Sequence, residues 1–294
     1  MKSIGEILRG ESSSITITTV YPSDDEEKHI CPYCQNVVPK KRITLFNREY
    51  TVQPICNCEA EARDREWEEA QERFRKREIE RRFSISDEGE RFSQYRFDTF
   101  IPVQGSEAAL RMAREFAEKF GERTDGTGLL IWGQPGNGKS HLAAAICHQL
   151  KEAGHTVIFK KVPNLLERIR NTFRRGANET EQQIMDALRE CDLLVLDDIG
   201  AEKVTDWVLE VLFRIIDGRY SYRRPIVFTT NFSPTSLLLR FQPEGKATEE
   251  QEIAAKRIHD RIIGMTAIVE NRAPSYRRKE AETRAKKDRR GWSE

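Results

Sequence analysis

A run of twelve residues, LLIWGQPGNGKS, constrains the fold of this chain more than any other feature. Four apolar residues from Leu129 precede the pattern G-x-x-x-x-G-K-S, and an Ala- and Leu-rich stretch, His141 to Lys151, follows it. This order predicts a buried strand, a glycine-rich turn and a helix. Such a turn directs backbone N–H groups at a phosphate, and the helix adds the positive end of its dipole.

The predicted phosphate site is one continuous segment. In a loop of this kind Lys139 reaches the β- and γ-phosphates, and the hydroxyl of Ser140 binds Mg²⁺. The alternative is a glycine-rich turn that binds nothing, which the strand before the loop and the helix after it disfavour. The predicted nucleotide-binding residues are Gly133, Gln134, Pro135, Gly136, Asn137, Gly138, Lys139, Ser140 and His141.

Apolar segments and helical patterns alternate along the rest of this region. Strands that alternate with helices predict a parallel α/β sheet covered on both faces, with its functional groups at the carboxyl ends of the strands. The loop at Gly133, the pair Asp197 and Asp198, and Asn231 each follow a predicted strand directly. The four further predicted strands are 156–159, 193–198, 225–231 and 266–269.

Composition limits the class of protein. Of 294 residues, 38 % are hydrophobic and 33 % charged, which suits one sizeable core with solvated segments outside it. The net charge of +1 neither favours nor excludes nucleic acid, so a basic surface would be local. No apolar run is long enough for a membrane span, and the N-terminus lacks a signal peptide's apolar core. We therefore expect a cytoplasmic protein without membrane contact.

Four cysteines are spaced as metal ligands. Cys31 and Cys34 form a C-P-x-C pair, and Cys56 and Cys58 form a C-x-C pair after a predicted hairpin of residues 43–52. Thiolates in two such pairs suit tetrahedral Zn²⁺, and a cytoplasmic location favours metal over a disulfide. Zinc would contribute about 10–16 kcal/mol of apparent binding free energy to a module too small for an apolar core. Reduced or oxidised cysteines without metal are the alternative, and His29 is a substitute ligand of lower rank.

The segments around this module are polar. Residues 1–28 predict a short helix and then mobile chain, with 12–20 either a strand or disordered. Residues 59–82 predict a charged helix with opposite charges four residues apart, such as Glu69 and Arg73. Its few apolar residues, Trp67, Phe74 and Ile79, leave two interpretations, a spacer or a partner-docking helix.

These patterns divide the chain into four regions. Phe97 and Phe100 are expected to dock on the large domain, and the isolated Cys147 and Cys191 are expected in its core. The last region is basic and is expected to be disordered or loosely helical. The regions are an N-terminal zinc module (1–58), a charged helix and linker (59–105), a phosphate-loop domain (106–275) and a basic tail (276–294).

Together these motifs resemble the DnaC/DnaI family of replicative helicase loaders, a branch of the AAA+ ATPases. Members with an amino-terminal zinc module are the most similar. The resemblance covers roughly residues 30–275. It rests on the cysteine motifs, the loop 133–140, the segment 193–202 with L-D-D-I-G-A-E, Arg219-Tyr220 leading into Thr229-Thr-Asn231, and the segment 257–261.

The resemblance implies roles for individual residues. Asp197 resembles the carboxylate that holds Mg²⁺, and Asn231 resembles the sensor of the γ-phosphate. Asp198 stands where most AAA+ enzymes have a glutamate that orients the attacking water. Its shorter side chain implies slow turnover.

Arg257 and Arg261 lie one helical turn apart and lie in the region that supplies an arginine to the ATP of a neighbouring subunit in this family. A trans arginine is worth about 10³–10⁵ in rate, and it implies self-association on ATP binding. The alternative is an ordinary salt-bridged helix face.

The resemblance also implies contact with single-stranded DNA through the helices predicted at 163–175 and 179–190. Phosphate contacts without a base code would give sequence-independent, salt-sensitive binding. The basic residues of this region are Lys160, Lys161, Arg168, Arg170, Arg174 and Arg175.

Three functions remain open. The first is an ATP-dependent loader that binds a hexameric replicative helicase through its N-terminal region and single-stranded DNA, ATP and Mg²⁺ through its ATPase domain. The second is a transposition-helper ATPase, although helpers of that kind usually lack a zinc module. The third is an adaptor that binds nucleotide without meaningful turnover, consistent with Asp198 in place of glutamate.

Overall fold

The computed structural model describes residues 16–20, 29–45, 48–83, 89–122, 124–242 and 248–291. The chain divides into two compact units, Met1–Arg75 and Lys76–Glu294. The short helix predicted near the N-terminus lies outside the described residues. No helix in the described ranges combines the length and apolarity that crossing a membrane requires.

The first unit contains a three-stranded antiparallel sheet. Its strands are β1 (Thr16–Val20), β2 (Lys40–Leu45) and β3 (Arg48–Val52), in the order β1-β2-β3. The predicted hairpin is confirmed, with Leu45 paired to Arg48 across its end. Residues 16–20 adopt the strand alternative because β2 supplies their backbone partners.

This sheet has almost no apolar core. Among the described residues of the first unit, the buried hydrophobic residues are Cys31, Val38 and Ala62. So few buried side chains contribute little free energy of folding. Apolar burial alone is therefore a weak source of stability for this unit.

Helix α1 (Asn57–Arg82) confirms the predicted charged helix. Arg73 donates to Glu69 four residues earlier, 3.4 Å away, as expected. Trp67 and Phe74 are 63 % and 73 % exposed, so most of each aromatic side chain is accessible to solvent. At the end of α1, within the second unit, Ile79 is buried in a hydrophobic cluster.

The second unit is an α/β domain. Its strands are β4 (Gly128–Trp132), β5 (Val157–Lys161), β6 (Leu193–Asp197), β7 (Ile226–Thr230) and β8 (Thr266–Glu270). Its helices are α2 (Glu90–Ser93), α3 (Glu107–Glu118), α4 (Lys139–Glu152), α5 (Val162–Asn171), α6 (Glu181–Glu190), α7 (Asp206–Ser221), α8 (Pro234–Arg240), α9 (Glu249–Gly264) and α10 (Tyr276–Gly291).

The five strands form one parallel sheet in the order β5-β6-β7-β4-β8. This confirms the predicted fold class, including the fifth strand. Alternate residues of each strand face opposite sides of the sheet. Leu130 and Phe228 therefore belong to one buried cluster, and Leu129 and Val227 belong to the other. Phe100 is buried in the second cluster and Phe97 packs against it, as predicted.

Helix α10 and helix α8 differ from the sequence interpretation. The basic C-terminal region forms a helix from Tyr276, whereas its charge pattern left disorder open. Pro234–Arg240 forms a helix that hydrophobic spacing did not predict. It begins with Ser233, whose side chain accepts from the backbone of Ser236, and with proline in its first turn, a local cap that stabilises a short helix.

A buried arginine joins α6, α7 and the starts of β6 and β7. Arg219 is 0 % exposed. One guanidinium nitrogen donates to the carbonyls of Leu188 and Cys191 at 2.8 and 2.9 Å, and the other donates to those of Asp192 and Pro225 at 3.1 and 2.8 Å. The carbonyls of Leu188 and Cys191 lie at the end of α6, where backbone carbonyls lack partners within the helix.

We expect Arg219→Ala to lower the free energy of unfolding by about 3 kcal/mol or more, because it removes the guanidinium donors to the buried carbonyls of Leu188 and Cys191. Urea denaturation followed by circular dichroism measures this change. The matched control is Arg189→Ala, which removes an exposed ion pair with Asp186 and should cost less than about 1 kcal/mol. Equal losses in the two variants would contradict this role for Arg219.

Candidate functional site

A cleft of about 420 Å³ opens at the carboxyl ends of the parallel strands. This volume lies in the range of sites that bind small ligands. Its lining combines the glycine-rich loop with residues from five other segments. These residues are Arg91, Gln94, Tyr95, Thr99, Phe100, Ile101, Pro135, Gly136, Asn137, Gly138, Lys139, Ser140, His141, Asp198, Thr229, Asn231, Tyr276 and Arg277.

The loop between β4 and α4 has the curled backbone that its glycines permit. Gly136 and Gly138 have φ angles of 81° and 93°, values at which a side chain is strained. Gly138 directly precedes the first residue of α4. The N-terminus of α4 therefore faces the cleft, where backbone N–H groups and the helix dipole favour an anion.

Lys139 connects the loop to β7. Its ammonium donates to the carbonyls of Gly133 and Gln134 at 2.8 and 2.9 Å, and to the side-chain oxygen of Asn231 at 2.9 Å. Burial lowers the pKa of Lys139 to about 8, against the opposing effect of Asp198 and Asp197. The structure thus places Lys139 and Asn231, predicted from separate motifs, in direct contact.

Asp197 ends β6 and is buried behind the loop. Its carboxylate accepts from the hydroxyl of Thr229 at 2.5 Å, and a hydrogen bond from Ser140 also stabilises the charged form. Burial nevertheless raises the pKa of Asp197. A buried carboxylate beside a serine hydroxyl is a donor set that fits Mg²⁺, a hard cation that prefers oxygen ligands.

Asp198 faces the cleft instead of the core. Its backbone has a φ of 61°, an uncommon conformation for a residue other than glycine and one that often marks functional sites. Its backbone N–H donates to Thr229 Oγ1 at 2.9 Å, and its carboxylate accepts from Asn231 Nδ2 at 2.8 Å. Asn231 therefore bridges Asp198 and Lys139.

One wall of the cleft combines Tyr95, which the sequence did not identify as part of the site, with the predicted nucleotide-binding residue His141. The ring of Tyr95 stacks on His141 with centroids 4.4 Å apart and 12° between the planes. His141 Nε2 lies 2.8 Å from the carbonyl of Arg96, so that nitrogen carries the proton. Burial lowers the pKa of His141, which keeps the ring neutral and available for stacking.

Tyr276 and Arg277 form a further part of the lining from the first turn of α10. The sequence assigned both residues to the basic tail. Arg277 lies close enough to help lower the pKa of Lys139. No motif spacing signals this contact, because it depends on how the chain after β8 returns to the loop.

Arg257 and Arg261 do not line this cleft. Both guanidinium groups lie over the ring of Phe213, 4.2 and 4.8 Å from its centroid. Arg261 also donates to Asp217 on α7 at 2.6 Å. The two residues project from one face of α9, as their spacing predicts, and that face packs on α7.

Four of the six basic residues predicted for DNA contact are engaged within the fold. Lys160 is 4 % exposed. The ammonium of Lys161 lies 4.6 Å from the ring centroid of Phe92, and the guanidinium of Arg170 lies 4.7 Å from that of Trp207. Lys160 is therefore unavailable as surface charge, whereas Lys161 is half-buried and Arg170 stays exposed beside its aromatic ring.

Arg168 is likewise paired. Its guanidinium donates twice to the carboxylate of Glu179, at 2.5 and 2.8 Å, and once to the carbonyl of Arg82 at 3.0 Å. It also lies 4.2 Å from the ring centroid of Phe83. The remaining two arginines, Arg174 and Arg175, are exposed beside Phe173, which is 64 % exposed.

The four N-terminal cysteines converge. Their sulfur atoms lie within 4.8 Å of one another, and the contacts Cys31–Cys58, Cys34–Cys56 and Cys56–Cys58 measure 3.3, 3.7 and 3.4 Å. A tetrahedral zinc site with Zn–S bonds near 2.3 Å needs sulfurs roughly 3.8 Å apart. The geometry therefore fits zinc, with no fifth protein ligand required from His29.

The pKa values of these thiols are also consistent with a metal site. Backbone N–H groups of Cys34 and Tyr33 lower the pKa of Cys31 to about 7. Hydrogen bonds with the sulfurs of Cys31, Cys56 and Cys34 raise the pKa of Cys58. Four crowded sulfurs cannot all be thiolates without a cation. By contrast, Cys147 and Cys191 are buried in the second unit, as predicted.

Comparison with known proteins relates the second unit to ATP-binding proteins. A family model described as IstB-like ATP binding protein matches residues 75–284. The replicative helicase loader DnaI of Bacillus subtilis (strain 168) is 31 % identical over 163 residues, which is 55 % of this chain and 51 % of DnaI. The replicative helicase loader DnaC of Escherichia coli (strain K12) is 34 % identical over 142 residues, 48 % of this chain and 54 % of DnaC.

The chain thus spans about half the length of these curated relatives. The crystal structure of the DnaC helicase loader superposes with a TM-score of 0.53 at 25 % identity, covering 63 % of this chain and all of that chain. A structure described as a DNA replication initiation factor has a TM-score of 0.50 at 22 % identity, over 61 % of this chain and 50 % of that chain. The second likeness concerns the fold alone.

We expect the purified chain to contain one zinc ion, because four sulfurs at these distances complete a tetrahedral site. Elemental analysis by mass spectrometry measures the zinc content. Cys31→Ser and Cys58→Ser should lose most of the metal, whereas the control Cys147→Ala, a substitution in the core of the second unit, should retain it. Unchanged zinc in both serine variants would contradict the site.

Proposed function

The chain belongs to the family of IstB-like ATP-binding proteins, and on this basis we propose that it is an ATP-dependent loader of a hexameric replicative DNA helicase. Its second unit would bind ATP and single-stranded DNA. Its first unit would bind the helicase. The similarity of the second unit to the DnaC helicase loader supports this assignment over other uses of the same fold.

One observation carries the proposal: three separate sequence motifs meet in a single cleft. The ammonium of Lys139 contacts Asn231, and Asn231 contacts Asp198. Parallel strands bring these residues together because their carboxyl ends share one edge of the sheet. A glycine-rich turn that binds no ligand would not require Asn231 and Asp198 to lie beside it.

We assign the phosphates of ATP to the loop 133–140. Its backbone N–H groups and the N-terminus of α4 would receive the β-phosphate, and Lys139 would turn from the loop carbonyls to the β- and γ-phosphates. Ser140 and Asp197 would hold Mg²⁺, which when bound offsets phosphate charge. The stacked rings of Tyr95 and His141 offer a flat apolar wall that suits the adenine base.

Asp198 is the group that we assign to the attacking water. Its carboxylate lies in the cleft, and Asn231 Nδ2 orients it through a 2.8 Å hydrogen bond. The water would add to the γ-phosphorus while the bond to the β-phosphate oxygen breaks, yielding ADP and phosphate. Because aspartate is one methylene shorter than glutamate, we expect slow turnover, which suits a switch.

Arg257 and Arg261 would act on the ATP of a neighbouring copy. Neither lines the cleft of its own chain, and Arg257 is exposed. The ion pair of Arg261 with Asp217 and its packing on Phe213 would hold the α9 face in place. This arrangement requires self-association when ATP binds.

The contact with single-stranded DNA would centre on the end of α5. Phe173 offers a ring for base stacking, and Arg174 and Arg175 offer charge for phosphates. With one exposed aromatic residue and three exposed arginines, Arg170, Arg174 and Arg175, we expect modest, salt-sensitive affinity.

The helicase-binding part would include the zinc module and the exposed aromatic residues of α1. Trp67 and Phe74 are seven residues apart and therefore lie on one side of the helix. Large aromatic side chains of this kind supply much of the binding free energy at protein interfaces.

We expect this chain to form a stoichiometric complex with a hexameric replicative helicase from its own genome in the presence of ATP, with zinc retained in each copy. Native mass spectrometry measures both. Trp67→Ala combined with Phe74→Ala should weaken the complex at least about tenfold. The control Phe173→Ala, also an exposed aromatic residue, should retain helicase binding. No complex with or without ATP would contradict helicase loading, and a complex with a transposase would favour a transposition helper.

We expect ADP affinity to be constant at neutral pH and to fall as pH rises above about 8. Phosphate favours the charged ammonium of Lys139, so binding takes up a proton wherever the free protein has lost it. Titration of a fluorescent ADP analogue from pH 6.5 to 9.5 measures the effect. Lys139→Ala should lose binding at every pH. A wild-type affinity that rises above pH 8 would contradict the assignment of Lys139.

A further inference from the structure

Asn271 lies where β4 gives way to the phosphate loop. It directly follows β8, and its backbone N–H donates to the carbonyl of Trp132, the last residue of β4, at 2.8 Å. The parallel pairing of β8 with β4 therefore continues to Trp132, the residue immediately before the loop. Gly133 must remain a glycine here, because a Cβ on it would lie 2.3 Å from the carbonyl oxygen of Asn271.

Asn271 and Asn137 exchange a pair of side-chain to backbone hydrogen bonds. Asn271 Nδ2 donates to the carbonyl of Asn137 at 2.8 Å, and Asn137 Nδ2 donates to the carbonyl of Asn271 at 2.6 Å. Asn137 is 0 % exposed and Asn271 is 1 % exposed. The side-chain oxygen of Asn137 also accepts from Lys139 at 3.2 Å. Water therefore cannot replace these bonds without opening the loop.

Tyr276 holds the adjacent peptide group of the loop. Its backbone N–H donates to the carbonyl of Gly136 at 2.9 Å. Its hydroxyl donates to the carbonyl of Ile101 at 2.7 Å, and its ring lies 5.9 Å from that of Phe100. We call residues 271–276 the strap, because its first residue, Asn271, and its last residue, Tyr276, both contact the loop.

The strap determines the direction of two loop N–H groups. In a planar trans peptide the carbonyl of one residue and the N–H of the next point in opposite directions. Holding the carbonyl of Gly136 toward Tyr276 therefore turns the N–H of Asn137 away from Tyr276. Holding the carbonyl of Asn137 toward Asn271 turns the N–H of Gly138 away in the same manner.

We propose that the strap aims the N–H groups of Asn137 and Gly138 at the β-phosphate of the nucleotide, and that Asn271 is a positioning residue for nucleotide binding. This inference rests on the proposed binding of ATP by the loop. The partner of Asn271 is Asn137, which occupies a variable position of the G-x-x-x-x-G-K-S pattern, so the motif does not contain this interaction.

The first test compares Asn271→Ala with the matched control Arg272→Ala. Arg272 is the next residue, and its side chain pairs with Glu270 instead of the loop. Asn271→Ala should weaken ADP binding about tenfold, the effect of misdirecting one hydrogen bond to a charged group. Arg272→Ala should stay within about twofold of wild type. Isothermal titration calorimetry of the full chain with ADP and Mg²⁺ measures both.

A spectroscopic measurement separates positioning from a general loss of structure. At saturating ADP, the β-phosphorus resonance of bound nucleotide in the Asn271→Ala variant should move toward that of free ADP, while the α-phosphorus resonance should change less. A merely loosened fold would not single out the β-phosphate. The double variant with Asn137→Ala and Asn271→Ala should bind ADP no more weakly than the single variant with the lower affinity. Both substitutions disrupt the same pair of hydrogen bonds, so their effects should not add.

The second test isolates the N–H of Tyr276. Tyr276→Ala removes the ring and hydroxyl and keeps the backbone N–H, whereas Tyr276→Pro removes all three. Tyr276 is the first residue of α10, a position where helices accept proline. The proline variant should bind ADP about tenfold more weakly than the alanine variant.

The results also separate this inference from the proposed function. If Lys139→Ala abolishes ADP binding while Asn271→Ala binds like wild type, or Tyr276→Pro binds like Tyr276→Ala, the strap does not position the loop. If wild type and Lys139→Ala bind ADP equally, the loop is not the nucleotide site, and the proposed function fails first.

Discussion

The site depends on one constraint, the parallel pairing of β4 between β7 and β8. Trp132 pairs with Thr230 on one side and with Glu270 on the other. The chain leaves all three strands at the same edge, so the phosphate loop, Asn231 and Asn271 emerge side by side. Every hydrogen bond that ties Lys139 to Asn231, or Asn137 to Asn271, follows from this register. A slip of one residue would turn these side chains to the opposite face of the sheet.

The two units obtain their stability in different ways. The second unit has two buried clusters, one on each face of the sheet, and apolar burial is sufficient for a domain of that size. The first unit buries few apolar side chains but brings four sulfurs within 4.8 Å. Its stability would depend on a metal, and so would any partner surface that it presents. If the four cysteines bind zinc, folding of the first unit would be linked to the metal, as expected for small zinc modules.

Sequence reasoning went furthest where the signal is local. The fold class and the five strands follow from hydrophobic patterns within a few residues, the charged helix from opposite charges four residues apart, and the loop 133–140 from a contiguous motif. Charge was a weaker guide. Arg168 and Lys161 were predicted as part of a basic DNA-binding region, but Glu179 pairs with Arg168 and the ring of Phe92 lies against the ammonium of Lys161. These partners are distant in the sequence or, like Phe92, uncharged. Composition therefore does not indicate whether a cationic side chain is available to bind DNA.

The amino-acid sequence by itself determined that this chain has a parallel α/β domain with a phosphate loop and a separate cysteine module. Those features depend on strand periodicity, glycine placement and ligand spacing, all of which are local. Tertiary structure alone decided which residues complete the cleft. Tyr95 and Arg277 join it, Arg257 and Arg261 do not, and Asn271 meets Asn137 across 134 positions of sequence. Such contacts depend on how the strands pair and where the chain returns after β8, and no local pattern encodes that return.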